Sequence, residues 1–303
     1  MIRETICSGF IVYKKKEEDR MRNYAFIILA AVVFTVTAKA QVELPRISPN
    51  ASVSETLGYT SISVTYCRPA VRERKIWGGL VPYGEVWRTG ANEATTIQFT
   101  TDVVVAGNKI PAGRYSLFTI PEEKEWTVIL NKTDKQWGSF NYKQADDLLR
   151  FKVSPVKGAF AERLQFSFSN LTDTSADVVL NWENLQVSFK VETDLAAQML
   201  VKIKEAIAAK PDRWQNYTEG ANAAADYNCF LEEAVQWTDK AISLNGGYIP
   251  YFVKARVLFK QNKFKDALNT LSRCREIGRT DAKWESFVPQ VDFLEKQIKS
   301  KLN

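Results

Sequence analysis

The sequence predicts a β-plus-α chain in two domains. An antiparallel β-sandwich, jelly-roll-like, is expected over residues 42–193, followed by an α-helical hairpin-repeat module over residues 195–303. Three observations carry this. Residues 42–193 alternate apolar and polar side chains in short runs cut by Gly, Pro and Asn; past Asp194 the apolar spacing becomes helical; and two of the helical segments align at an offset of 33 residues. Short strands at regular spacing pack as a sandwich or barrel, and a repeat of that length is typical of stacked helical pairs.

The N-terminus comes in two pieces. Residues 1–20 end in the charged run Lys14-Lys15-Lys16-Glu17-Glu18-Asp19-Arg20 and read as an upstream extension, with Met21 the expected start. Arg22 then supplies a basic region, residues 24–36 an apolar stretch and Ala38-Lys39-Ala40 a small-x-small site. That is the pattern of a secretory signal peptide. Cleavage is expected after Ala40, which leaves Gln41 first and removes about half of the formal charge of +6. The apolar stretch falls short of the roughly 20 residues that span a bilayer, so no membrane span is expected after cleavage. Export follows, to the periplasm or beyond.

In the β-half, Ile62, Val64 and Tyr66 alternate with Ser61, Ser63 and Thr65, the mark of a half-buried strand. Phe166 and Phe168, and then Val187, Phe189 and Val191, repeat the pattern. Strands are expected at residues 61–66, 95–100, 102–105, 114–120, 126–131, 149–153, 165–169, 177–182 and 186–192. Gly107-Asn108 and Pro111-Ala112-Gly113 read as turns.

In the second half, Met199, Ile203 and Ile207 recur at helical spacing until Pro211-Asp212 breaks the chain. Asp212, with Gln215 three residues on, is expected to cap the next helix. Leu231-Glu232-Glu233-Ala234-Val235 aligns with Phe264-Lys265-Asp266-Ala267-Leu268, and Ala241 with Cys274. The order Tyr251, Ala255, Leu258, Phe264, Ala267, Leu271 resembles a tetratricopeptide repeat, although Gly246 and Arg279 stand where a closing proline is usual. A last helix over residues 284–302 places Trp284, Phe287, Val288, Val291, Leu294 and Ile298 on one stripe, as a capping helix does. Such a module suits docking to a protein partner.

Composition narrows the chemistry. The chain has no histidine, which removes Ser-His-Asp and Cys-His catalysis, histidine metal sites and histidine pH switching. Beyond residue 40 it keeps Cys67, Cys229 and Cys274, scattered and odd in number, so buried free thiols are expected and not a disulfide scaffold. No CxxC spacing suggests a metal. Neither a phosphate loop nor a GxGxxG fingerprint suggests a cofactor. Basic residues are interspersed with acidic ones, which argues against nucleic acid.

The densest region runs from Tyr66 to Trp137. It holds Arg68-Pro69-Ala70-Val71-Arg72, then Gly78-Gly79-Leu80-Val81-Pro82-Tyr83-Gly84-Glu85-Val86-Trp87-Arg88-Thr89-Gly90-Ala91-Asn92-Glu93-Ala94-Thr95-Thr96. Pro111-Ala112-Gly113-Arg114-Tyr115-Ser116-Leu117-Phe118-Thr119-Ile120-Pro121, Trp126-Thr127-Val128 and Gln136-Trp137-Gly138 follow. Residues 68–93 are too rich in Gly, Pro, Trp and Arg for a regular element and read as a long ordered loop. These blocks resemble the family called domain of unknown function 2911, found in exported proteins chiefly of Bacteroidetes, over residues 42–193. Glu73 departs from it, since many members carry glycine there. The resemblance implies a β-rich exported domain, sometimes followed by helical repeats, and no established reaction.

The loop offers a candidate site. Arg68, Arg72 and Arg88 are planar, permanently charged forks suited to a carboxylate or phosphate. Trp77, Tyr83 and Trp87 are flat faces for sugars or cations, and Asn92 and Glu93 can orient a ligand by hydrogen bonding. Together they suggest a small polar, anionic or carbohydrate ligand. The opposing reading packs the aromatics into one end of the sandwich and pairs the arginines with Glu85, Glu93 and loop carbonyls. A catalytic alternative makes Glu85 and Glu93 the acid/base pair of an envelope hydrolase. Asp146-Asp147 suits solvation or capping, and Ser116 lacks the glycine elbow of a serine hydrolase. The balance points to an exported binding or scaffolding protein over an enzyme.

Overall fold

The computed structural model describes residues 44–302. The expected start at Met21, the signal peptide and its cleavage after Ala40 lie outside the described residues. Strands and helices alike fall in one compact unit, Ser48–Asn303.

The β-half contains β1 (Asn50–Leu57), β2 (Thr60–Cys67), β3 (Thr96–Phe99), β4 (Val103–Val105), β5 (Asn108–Ile110), β6 (Gly113–Ile120) and β7 (Trp126–Asn131). A single 3-10 turn, Gln144–Asp146, then leads into β8 (Asp147–Val153), β9 (Val156–Ser169) and β10 (Ser175–Glu192). They form a six-stranded sheet in the order β1-β2-β3-β6-β7-β8 and a four-stranded sheet in the order β5-β4-β10-β9. Every neighbouring pair is antiparallel. The sheets share one core, to which Ile62, Val64, Ile97, Phe99, Leu117, Val128 and Leu130 contribute from the first and Val105, Leu164, Phe166, Val178, Leu180 and Val191 from the second. The antiparallel β-sandwich expected from the alternation is present.

Four elements differ from their sequence expectations, each for a physical reason. β1 is an edge strand whose residues up to Leu57 are exposed or half-buried, so it carries no apolar stripe to read. β5 is only Asn108-Lys109-Ile110, and the turn before it is Ala106-Gly107, with φ of 48° and 76°. Two consecutive positive φ values are those of a type I′ hairpin, which moves the expected turn back by one residue. β9 starts at Val156, not at Gln165, and β10 joins two expected strands into one of 18 residues. Register shifts between Asn181, Glu183 and Leu185, with Glu183 at φ 55°, throw the alternation out of phase and hide that continuity.

The second half holds α1 (Leu195–Ala209), α2 (Trp214–Tyr227), α3 (Leu231–Ser243), α4 (Tyr248–Lys260), α5 (Phe264–Gly278) and α6 (Trp284–Lys299). α3 and α5 begin at Leu231 and Phe264, the residues that head the two aligned segments. α1 is capped by Asp194, whose carboxylate accepts from the Ala197 N–H at 2.9 Å. The expected cap at Asp212 is corrected: α2 is preceded by Arg213, which makes no side-chain cap bond. α1 packs on the first hairpin. Gly58, at φ 57°, would place a Cβ 2.5 Å from Leu195 Cδ1, so the turn needs glycine for both its conformation and its space. Gln198 donates to the Thr60 and Thr101 hydroxyls at 3.1 and 3.0 Å, tying α1 to the start of β2 and to the β3–β4 connection. Among the described residues no helix is long and apolar enough to cross a membrane.

Candidate ligand-binding site

The loop expected to carry the site is held from within. Arg68 donates from Nε to the Leu164 carbonyl at 3.0 Å, pinning the end of β2 to β9. Arg72 is exposed, and its backbone N–H donates to Glu162 Oε1 at 3.0 Å. Arg72 and Glu73 both lie in the left-handed region, at φ 49° and 58°, a conformation that glycine adopts freely at the position where the family resemblance shows it.

Trp77 and Trp87 are buried, 8% and 9% exposed, with Trp126 and Trp182 behind them. Trp77 meets Trp126, Trp87 and Trp182 edge to face at 4.9, 5.8 and 5.8 Å, while Trp87 stacks on Trp182 at 6.0 Å. Trp87 Nε1 donates to the Gly90 carbonyl at 3.1 Å. The indole N–H groups of Trp77, Trp126 and Trp182 have no hydrogen-bond partner among the described residues. Edge-to-face packing lets such a donor meet a π face where no oxygen is at hand. These two tryptophans therefore plug the end of the sandwich. Tyr83 is half-buried and lines a separate hollow with Glu122, Glu123, Lys124, Glu125 and Lys152. Burial first, then the charges of Glu123, Glu183 and Glu122, push its phenol up from the ordinary value.

Residues 88–95 close on themselves beside β6. Thr95 N–H donates to the Arg88 carbonyl at 3.1 Å, and its hydroxyl to the Thr89 carbonyl at 2.8 Å. The excursion is tight at Gly90, where a Cβ would stand 3.0 Å from Thr95 Oγ1 and 3.1 Å from the Cys67 carbonyl. Asn92, at φ 57°, donates to the Ser48 carbonyl at 3.3 Å and accepts on its own carbonyl from Gly138 N–H at 3.0 Å. Arg88 is half-buried with no partner for its Nε among the described residues. Burial lowers its pKa, partly offset by the neighbouring Cys67.

What this folding leaves open is a cleft of about 430 Å³ on the outer face of the six-stranded sheet. Thr65 and Thr96, paired across β2 and β3, are among its lining residues, with Asn50 and Cys67 at one end and Arg114 on β6. Glu93 and the segment Asp134-Lys135-Gln136-Trp137 complete it. Glu93 pairs with Trp137 through the backbone, and its Oε2 accepts from the Cys67 thiol at 3.5 Å. Arg114 donates to Thr96 Oγ1 at 3.1 Å and lies 3.9 Å from Asp134. Trp137 is 58% exposed. Beyond the cleft the same face is covered, and Phe118 and Ile129 are buried under Val86 and Tyr142.

The segment bearing Trp137 is braced by one buried amide. Asn131, fully buried, donates from Nδ2 to Asp147 Oδ1 at 2.9 Å and to the Lys143 carbonyl at 3.2 Å. Its Oδ1 accepts from Thr133 N–H and Gln136 Nε2, both at 3.1 Å. Gln136 is 8% exposed, and its Oε1 is buried with no partner among the described residues.

Of the residues singled out in the sequence, the structure brings only Glu93 into this cleft. Glu85 is exposed, next to Gly84, whose N–H donates to the Pro121 carbonyl, and it does not line the cleft. Thr65, Thr96, Arg114, Asp134, Lys135, Gln136 and Trp137 were missed as site residues. Their signal was there: the threonines are polar partners in the alternation, and Gln136-Trp137-Gly138 is a block too polar and too aromatic for a plain turn. No group of three or more metal-ligating side chains is placed to hold a metal ion among the described residues.

A second concavity, of about 710 Å³, lies on the helices and is lined by Asn222 on α2, Ile249, Phe252 and Arg256 on α4, and Phe287 and Phe293 on α6.

The structure is a two-sheet β-domain with a cleft on the outer face of the larger sheet, continued by six helices. Residues 48–191, which take in both sheets but for the last residue of β10, match the family described as "Protein of unknown function (DUF2911)". No curated protein and no solved structure matches the chain.

Proposed function

We propose that the chain is an exported binding protein of the cell envelope, whose β-domain takes a small polar ligand in the cleft around Glu93, Arg114 and Trp137. The observation that carries this is Trp137, 58% exposed at the wall of a cleft that Glu93, Arg114 and Asp134 also line. The volume of about 430 Å³ suits a small molecule. Export rests on the pattern from Met21 to Ala40, and sequencing of the secreted protein should find Gln41 first. The helical concavity, with Phe293 65% exposed, is the surface offered to a protein partner.

A thermal-shift screen against polar metabolites tests the ligand reading. A ligand that binds only the folded state raises stability by RT ln(1 + [L]/Kd). A hit should stabilise the wild type and leave Trp137→Ala unmoved. Hits that stabilise both equally place the ligand elsewhere. Against the hydrolase alternative that pairs Glu85 with Glu93 stands the position of Glu85, which does not line the cleft.

A further inference from the structure

We propose that the loop of residues 132–143 is a membrane-contact site whose partner is the surface of an anionic phospholipid bilayer. This contact is distinct from the ligand site, since Phe140, on which it turns, does not line the cleft.

Exposure and rigidity coincide in this loop. Trp137 is 58% exposed and Phe140, three residues on, 82%; no large apolar side chain among the described residues is more exposed than Phe140. The backbone that carries them is held. Ala94 N–H donates to the Gln136 carbonyl and Gly138 N–H to the Asn92 carbonyl, both at 3.0 Å, and Tyr142 N–H donates to the Ser139 carbonyl at 3.2 Å. Gly138 turns the chain at φ 66°, and a Cβ there would stand 2.8 Å from the Phe140 ring, so the ring lies over the glycine. Two aromatic side chains are thus presented to water by a segment that is already ordered and loses little freedom on docking.

The free charge beside them is positive. Lys132, Lys135 and Lys143 are exposed, and none makes an ion pair among the described residues. The nearby aspartates are engaged. Asp134 lies 3.9 Å from Arg114, Asp146 accepts from the Thr133 hydroxyl at 3.4 Å, and Asp147 meets Arg150 at 2.9 Å and Tyr142 at 2.6 Å. Aromatic rings at headgroup level with lysines around them complement a bilayer of negative surface potential.

Shape favours a bilayer over a protein. A specific protein interface buries about 800 Å² on each partner and seats its aromatic anchors in pockets. A protruding tip of two aromatics supplies an anchor without that face. A bilayer needs no shaped counterpart: the rings enter the acyl boundary while the lysine ammonium groups stay with the phosphates. The envelope location proposed above puts such a surface within reach.

The test is flotation of the exported protein with vesicles of phosphatidylcholine alone and of phosphatidylcholine with one quarter phosphatidylglycerol. The mixed vesicles should bind it about tenfold more tightly or better. Raising the salt from about 0.1 to 0.5 M should weaken that binding severalfold. Phe140→Ala should weaken it about fivefold or more with an unchanged urea midpoint, which separates the contact from folding. Lys132→Gln, Lys135→Gln and Lys143→Gln together should abolish the preference for the mixed vesicles. Bromine on the lipid acyl chains should quench the tryptophan fluorescence of the wild type and not that of Trp137→Phe. Binding that survives both Phe140→Ala and the triple substitution unchanged lies elsewhere on the chain and overturns the site. Equal binding to both vesicles overturns the anionic assignment. Binding to neither, or capture of a protein in their place that Phe140→Ala abolishes, overturns the bilayer as the partner.

Discussion

Trp77 and Trp137 stand in the same stretch of distinctive sequence, sixty residues apart, and do opposite things. Trp77 is 8% exposed and meets three other indoles at 4.9 to 5.8 Å. Trp137 is 58% exposed beside a cleft of charged and hydroxyl side chains. The loop of residues 68–93 turns its two tryptophans inward; the segment after β7 leaves its tryptophan largely exposed at the cleft. An aromatic-rich block is therefore two statements at once. Which tryptophan is architecture and which is available to a ligand is decided by the face of the sheet each one lies on.

The comparison breaks first at the core. Trp126→Ala should destabilise the protein by about 3–5 kcal/mol, as truncation of a fully buried tryptophan does, read as a lower urea midpoint. Equal tolerance of Trp126→Ala and Trp137→Ala would erase the distinction. Next comes the brace between the regions. Asn131→Ala takes one hydrogen bond each from the Gln136 amide, the Thr133 N–H and the Asp147 carboxylate and should cost about 1–3 kcal/mol. Amide hydrogen exchange should show residues 133–137 losing protection more than β2 or β3 does.

A smaller effect follows from Tyr142, which packs on Phe118 and donates to Asp147 Oδ2 at 2.6 Å. Burial, then the hydrogen bond and charge of Asp147, push its phenol up to about 12. A group whose folded pKa is raised contributes in full below its unfolded value, about 10 for tyrosine, and loses that contribution as pH rises through the folded value. The stability advantage of the wild type over Tyr142→Phe should thus be constant below about pH 10 and shrink towards pH 12. A difference that stays flat across that window counts against the Tyr142–Asp147 bond. Smallest of all is the effect of Trp137→Ala on folding, expected within about 0.5 kcal/mol by the same urea titration, since little is buried there.

The sandwich was legible because its strands alternate, and β7 was read to its end residues, Trp126 and Asn131. Alternation fails where a strand has no buried stripe, as in β1, or where a bulge changes its phase, as at Glu183 in β10. The helical half was legible as helix, and α3 and α5 start at Leu231 and Phe264, the residues that head the two aligned segments. The cleft was legible only in part. Glu93 was singled out, but arginine and tryptophan look alike in sequence whether they hold a loop together or face a ligand. Arg68 spends its Nε on a β9 carbonyl, while Arg114, unremarked in a strand, lies in the cleft. Thr65 and Thr96 read in the sequence only as polar partners of an alternation; they matter because β2 and β3 pair them side by side.

The most direct measurement is a ¹⁵N NMR titration of the whole protein with the strongest hit of the thermal-shift screen. The indole N–H of Trp137 and the side-chain amide of Gln136 should shift together, while the indoles of Trp77, Trp87, Trp126 and Trp182 stay where they are. Shifts at Trp77 or Trp87, or confined to α4 and α6, with Trp137 unmoved, would contradict the account.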